Sequence, residues 1–285
     1  MIEPLRAPPG PQDPATGRLL RGLGRFFQGA TWVGLATFGT YILLRASGAT
    51  SRNFSQWHAL VSGETLATAS DWIANVAIGL HFAMGAVLVL AWPILLSARI
   101  RTRHRSLHRW TGRLYVSAGL LAGAGGLTFI LTHGAYSRPA SVAFATWGAV
   151  LMLSAAMAYR HARARRFDLH RAWAIRLFAM VLGSWLFDLE IRAWKDLAGG
   201  VGFGQGDAHG PLDYVILYLF FVPNLLVAEL LLRHKHRHIA LPSALKWPAV
   251  VALAAAGLVF AYAIVAVSAT PTGKYGKHLL QLLSG

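Results

Sequence analysis

Apolar residues along this chain gather into seven long stretches, near 27–44, 72–97, 110–132, 140–158, 172–190, 212–232 and 247–267. Each approaches the ~20 mainly apolar residues that a helix needs to cross a bilayer. Connections between them are mostly short, and the two longer ones, 45–71 and 191–211, leave no room for a separate soluble domain. The pattern predicts an all-α integral membrane helical bundle of about seven transmembrane helices. It divides the chain into a flexible N-terminal segment at 1–26, a transmembrane domain at 27–267 with its core at 72–190, and a short outer tail at 268–285. Composition agrees: 55% of residues are hydrophobic and 13% charged, and a chain so apolar needs lipid to cover it.

Charge then orients the pattern. Twenty of the 27 Lys and Arg residues fall in four segments on one side of the seven stretches: Arg6 to Arg25, Arg99 to Arg113, Arg160 to Arg176 and Arg233 to Lys246. The seven cations on the other side are matched by seven carboxylates, so the whole formal charge of +16 lies on the first side. The positive-inside rule makes that side cytoplasmic, with the N-terminus inside and, after an odd number of crossings, the C-terminus outside. The basic clusters sit at helix ends without the aromatic interleaving of single-strand binders, which excludes nucleic acid and favours anionic lipid headgroups as partner. A membrane-protein partner or a second copy of the chain is a further candidate. There is no cysteine, so disulfides, thiolate catalysis, iron–sulfur clusters and covalently attached haem are excluded.

A short repeat is superimposed on this frame. LHRWTGRL (Leu107 to Leu114) and LHRAWAIRL (Leu169 to Leu177) each follow an arginine-rich connection and each open an apolar helix. Together with the helices before them they form two parallel helical hairpins, the kind of repeat related by an axis along the membrane normal. Counted from the histidine, the second arginine lies five residues on in the first copy (Arg113) and six in the second (Arg176). Within GLLAGAGG, Gly119 and Gly123 stand four apart, a spacing that lets helix backbones approach closely. The glycine-rich run 199–210 follows no strand and reads as a pliable loop rather than a phosphate cradle.

These patterns nominate five site residues. His108 and His170 start two core helices at equal depth, where paired imidazoles can ligate the iron of a haem b, with Arg113 and Arg176, beside Arg109 and Arg171, placed to pair with its propionates. The plainer reading makes them interfacial anchors for lipid phosphates. His81 lies about ten residues into its helix, deep for an ionisable group, and either serves a site or hydrogen-bonds Asn75, a serine or a backbone carbonyl as structural glue. Arg113 and Arg176, a turn or more inside their helices, call for a counter-ion, and Glu229 is within reach of both. Trp92, Trp147 and Trp185 lie deeper than the other tryptophans and are expected between helices. RHKHRH (Arg233 to His238) reads as a solvated basic loop, and no hydrolase, P-loop or dinucleotide signature occurs in a competent context.

The order of a histidine in the second stretch, LHRWTGRLYV, a Trp-bearing helix, and LHRAWAIRLFA with Arg192 downstream resembles the bacterial membrane proteins grouped as domain of unknown function 2306. The resemblance spans about residues 78–195. It implies a bacterial inner (plasma) membrane and the same site positions, and it carries no activity. The chain departs from the family pattern at Trp92–Pro93, where a glutamine is usual, and has WAIR where WMIR is usual. LHRW-x-G is also similar to an element of transmembrane two-haem cytochromes, which implies haem b and electron transfer. Those proteins use four histidines on four successive helices, and Ala143 stands where the fourth falls here. The readings carried forward are a haem-binding electron-transfer protein and a non-redox binding, transport or assembly subunit whose His/Arg ring holds an anionic lipid or ligand.

Overall fold

The computed structural model describes residues 14–51, 72–134, 137–204, 210–234 and 243–268, and every regular element among them is helical. In chain order these are α1 (Pro14–Ser51), α2 (Trp72–Leu96), α3 (Ala98–Arg103), α4 (Arg105–Thr132), α5 (Arg138–Arg163), α6 (Phe167–Ala198), α7 (Pro211–Leu219), α8 (Val222–His234) and α9 (Ser243–Ser268). Hydrocarbon offers the backbone no hydrogen-bond partners, so helices that satisfy their own peptide groups are the natural outcome for this sequence. Five stretches are long and apolar enough to span: Trp72–Leu96, Arg105–Thr132, Arg138–Arg163, Pro211–Arg233 and Val250–Ser268. The other two expected spans lie in α1 and α6, of 38 and 32 residues. At 1.5 Å per residue α1 is ~57 Å long, well beyond the ~30 Å of a bilayer core; it begins at Pro14, so residues 14–26 are helical.

Caps and breakers set the helix limits. Ser97 Oγ accepts from the Ile100 amide and starts α3, and Ser137 Oγ accepts from the Ala140 amide and starts α5. Gly199, at φ 62°, closes α6 in the left-handed region that glycine enters freely. The apolar stretch at 211–233 is one expected span but two helices, broken at Phe220–Phe221. Pro223 has no N–H for the Leu219 carbonyl, which ends the α7 ladder. Asn224 Nδ2 donates to the Phe220 carbonyl at 2.6 Å and covers part of the exposed backbone.

Helices α2, α4, α5 and α6 form the expected four-helix core. Each packs on the next in that order, and α2 closes onto α6. Outside it, α1 lies against α2 and α9, while α8 and α9 lie against α6. Trp92 and Trp185 are buried between helices as expected: Trp92 meets Trp32 of α1 and Phe178 of α6, and Trp185 meets Phe260 of α9. Trp147 is half-buried, its Nε1 donating to the Met180 carbonyl at 3.0 Å.

Small residues of α4 make this packing tight. A Cβ on Gly119 would lie 3.2 Å from Ala155 Cβ of α5, 3.6 Å from Leu177 Cδ1 of α6 and 4.0 Å from Leu88 Cδ2 of α2, so three helices converge on one glycine. A Cβ on Gly125 would lie 2.5 Å from the Ala77 carbonyl oxygen of α2. Gly125→Val should therefore cost about 1–3 kcal/mol through overpacking, seen as a lower melting temperature in detergent. Gly85→Ala, whose added Cβ meets nothing within 4 Å, should be neutral or stabilising by up to ~1 kcal/mol.

Candidate functional site

At the arginine-rich end of the bundle the two repeats open side by side. The first turn of α4 carries His108, whose amide donates to the His104 carbonyl at 3.1 Å; that of α6 carries His170, whose amide donates to the Arg166 carbonyl at 2.9 Å. His170 Nδ1 lies 2.8 Å from the Ala158 carbonyl of α5. A carbonyl only accepts, so Nδ1 carries the proton and Nε2 is left free. His108 Nδ1 is buried without a hydrogen-bond partner, and the ring lies within electrostatic range of His170 and Arg101. The structure thus brings the two repeat histidines to one end of the core, but in unlike settings.

The two arginines share a feature that counting from the histidines hides. Each follows a tryptophan by three residues, Trp110 to Arg113 and Trp173 to Arg176, so both pairs fall on one helix face. In both, the guanidinium carbon lies over the indole, at 4.8 Å for Arg113 and 4.6 Å for Arg176. Their counter-charges differ. Arg176 pairs in bidentate fashion with Glu229 of α8, Nε to Oε1 at 2.5 Å and Nη2 to Oε2 at 3.1 Å. Arg113 is exposed, and among the described residues no carboxylate is paired with it.

His81 is remote from this end. Its Nδ1 donates to the Ala122 carbonyl of α4 at 2.8 Å, the backbone-carbonyl contact among the expected alternatives. Gly126 makes room for the ring: a Cβ there would stand 2.9 Å from His81 Nδ1. The Phe82 and Trp147 rings lie 5.5 Å and 6.0 Å away. Ala122 is fourteen residues along α4 from His108, ~21 Å by helical rise, so His81 and His108 serve no common site.

One polar residue at the basic end was not nominated. His161, in the last turn of α5, is buried and its Nδ1 has no hydrogen-bond partner. It completes the buried stripe Leu151, Ser154, Ala155, Ala158, His161, a helical period that could have revealed it. Among the described residues no cluster of three or more His, Cys, Asp or Glu side chains could hold a metal ion. Of the RHKHRH cluster, residues 235–238 lie outside the described residues.

The residues present do not fit a haem standing between α4 and α6. A macrocycle reaching inward from His108 and His170 would meet the tier where Ala155, Leu177 and Leu88 close around Gly119. Tyr115, Ala118, Ala122 and Met180 fill the neighbouring volume. In addition, Arg176 is already committed to a carboxylate.

At the opposite end Asp196 Oδ2 accepts from Arg192 Nε at 2.5 Å and from the Tyr262 hydroxyl at 2.8 Å, tying α6 to α9. These hydrogen bonds, that of Arg192 first, hold the Asp196 carboxyl below its usual pKa. Asp213 Oδ2 accepts from the Gly204 and Gly210 amides, at 2.8 and 2.7 Å, and so holds two points of the glycine-rich run.

The model of a family described as "Predicted membrane protein (DUF2306)" matches residues 78–232, and the chain belongs to that family. The match runs from α2 to α8 and leaves α1 and α9 outside it. No curated protein and no solved structure matches the chain.

The ion pair generates a direct expectation. In a double-mutant cycle on detergent stability, Arg176→Ala and Glu229→Gln should couple by about 0.5–1 kcal/mol, the range of a partly exposed bidentate pair. Arg113→Ala and Glu229→Gln should be additive within ~0.5 kcal/mol.

Proposed function

We propose that this member of the family is a non-redox binding or assembly subunit of a bacterial inner membrane, whose cytoplasmic His/Arg surface engages anionic ligands, above all lipid headgroup phosphates. One observation carries the reading: the polar residues common to both repeats, His108, Arg109 and Arg113 in the first and His170, Arg171 and Arg176 in the second, lie at the basic end, over an interior closed at Gly119. A ligand held by them is met at the surface. The surrounding charge suits an anion, since among the described residues only Asp168 and Glu229 accompany the twelve arginines of the Arg99 to Arg113 and Arg160 to Arg176 segments. In this reading α1 and α6 complete seven crossings, the N-terminus is cytoplasmic and the C-terminus outside.

A proton-coupled transporter would usually place a carboxylate near the midplane. The carboxylates of the described core helices lie towards the ends, at Asp168, Asp188, Glu190 and Asp196, which favours binding or assembly over active transport. One observation speaks for haem b instead: His170 and His81 each donate Nδ1–H to a backbone carbonyl, the outer-shell bond that metal-bound imidazoles usually make.

Two measurements separate these readings. Protein purified in mild detergent and supplemented with haem should show no Soret band, and a stoichiometric band abolished by His170→Ala would reverse the choice. Retention of phosphatidylglycerol over phosphatidylcholine should be clear at low salt and fall as salt rises; equal retention of both lipids would remove the anionic-ligand reading. For topology, a reporter active only in the cytoplasm should work after Arg163 and fail after Ser137, and the reverse pattern would invert the orientation.

A further inference from the structure

The two repeats offer the same cationic seat, and among the described residues only that of the second repeat is filled by a carboxylate. In the second repeat, α8 packs on α6 and lays Glu229 across the guanidinium that rests on Trp173. In the first, α4 packs against α2, α3 and α5, and among the described residues nothing covers Trp110 and Arg113, which are both exposed. Trp110 is 65% exposed, and Leu114 and Leu121, one and three turns further along α4, are exposed on the same face. A cation at this depth is costly without a partner. The planar fork that accepts a carboxylate at Arg176 accepts phosphate oxygens equally well.

We propose that Arg113, backed by Trp110, is the seat of one phosphate of an anionic membrane lipid, in the place that Glu229 takes in the second repeat. This rests on the anionic-ligand reading above and narrows it to one residue and one lipid. Two features favour a lipid over the carboxylate of a partner helix. Arg109, exposed and one turn from Arg113 on the basic side, adds a second cation where a phosphodiester headgroup lies. Leu114 and Leu121 run from the seat towards the bilayer centre, as an acyl chain does. A second copy of this chain is a poor occupant, because Glu229 is already paired and the other basic-side carboxylate of the described residues, Asp168, flanks His170.

The test is native mass spectrometry of the full chain in mild detergent with added phosphatidylglycerol, and phosphatidylcholine as reference. The wild type should retain one phosphatidylglycerol tightly. Arg113→Ala should weaken that site roughly tenfold or more, as loss of a charge-assisted pair implies, and Arg176→Ala should leave it intact. Glu229→Gln frees the second seat and should add a second tightly held phosphatidylglycerol, an outcome that a misfolded variant cannot imitate. If phosphatidylglycerol selectivity persists in Arg113→Ala and Glu229→Gln adds no lipid, this assignment is overturned while the broader reading stands. Absence of selectivity in the wild type overturns both. A retained polypeptide that departs in Arg113→Ala overturns it in favour of a partner helix.

Discussion

The close approach of backbones along α4 is the interaction on which the rest of the structure depends. Lipid gives helices little hydrophobic reason to associate, so contact at van der Waals distance must hold the bundle together. Gly119, Gly123 and Gly125 supply that contact to α5 and α2. The same contact decides where chemistry can lie. An interior closed by Leu88, Ala155 and Leu177 around Gly119 leaves little room for a buried cofactor at that depth. His81 fits the scheme as a tie: Gly126 admits its ring, and Nδ1 uses the Ala122 carbonyl to lock α2 against α4.

Pseudo-symmetry and its failure account for the basic end. Two copies of a helical hairpin place Trp-x-x-Arg on equivalent faces, and the cation–π stacking is nearly identical in both. The elements added outside the core are unequal. α8 covers the second copy and supplies a carboxylate, while nothing among the described residues covers the first. The histidines diverge likewise, His170 anchored on Ala158 and His108 without such a bond. Of the two similar Trp-x-x-Arg faces, one holds an internal ion pair and the other, among the described residues, a cation without a carboxylate.

Much of this was legible in the sequence, because the relevant signals are strong in lipid. Apolar length located the core helices, and the spacing of Gly119 and Gly123 announced the close contact. The reach of Glu229 to Arg176 was readable from depth alone, although the choice between Arg113 and Arg176 was not, since it depends on which helix α8 joins. Counting from histidine rather than from tryptophan concealed the equivalence of Arg113 and Arg176. The break at Phe220–Phe221 was foreshadowed by Pro223, but a proline inside a membrane helix is often tolerated, so the span reads as continuous. His161 escaped notice because it lies in an arginine-rich run that looks solvated, whereas α5 keeps its buried stripe to that last turn.

The central claim is that the core is closed at the Gly119 tier and that ligands are met at the basic rim. Since the chain has no cysteine, one introduced thiol reports on one position. Ala155→Cys, at the tier itself, should resist a hydrophilic maleimide in the folded protein, whereas Thr102→Cys, exposed at the basic end, should react at the rate of a free thiol. Labelling of Ala155→Cys as fast as Thr102→Cys would reveal a water-filled interior and contradict the account.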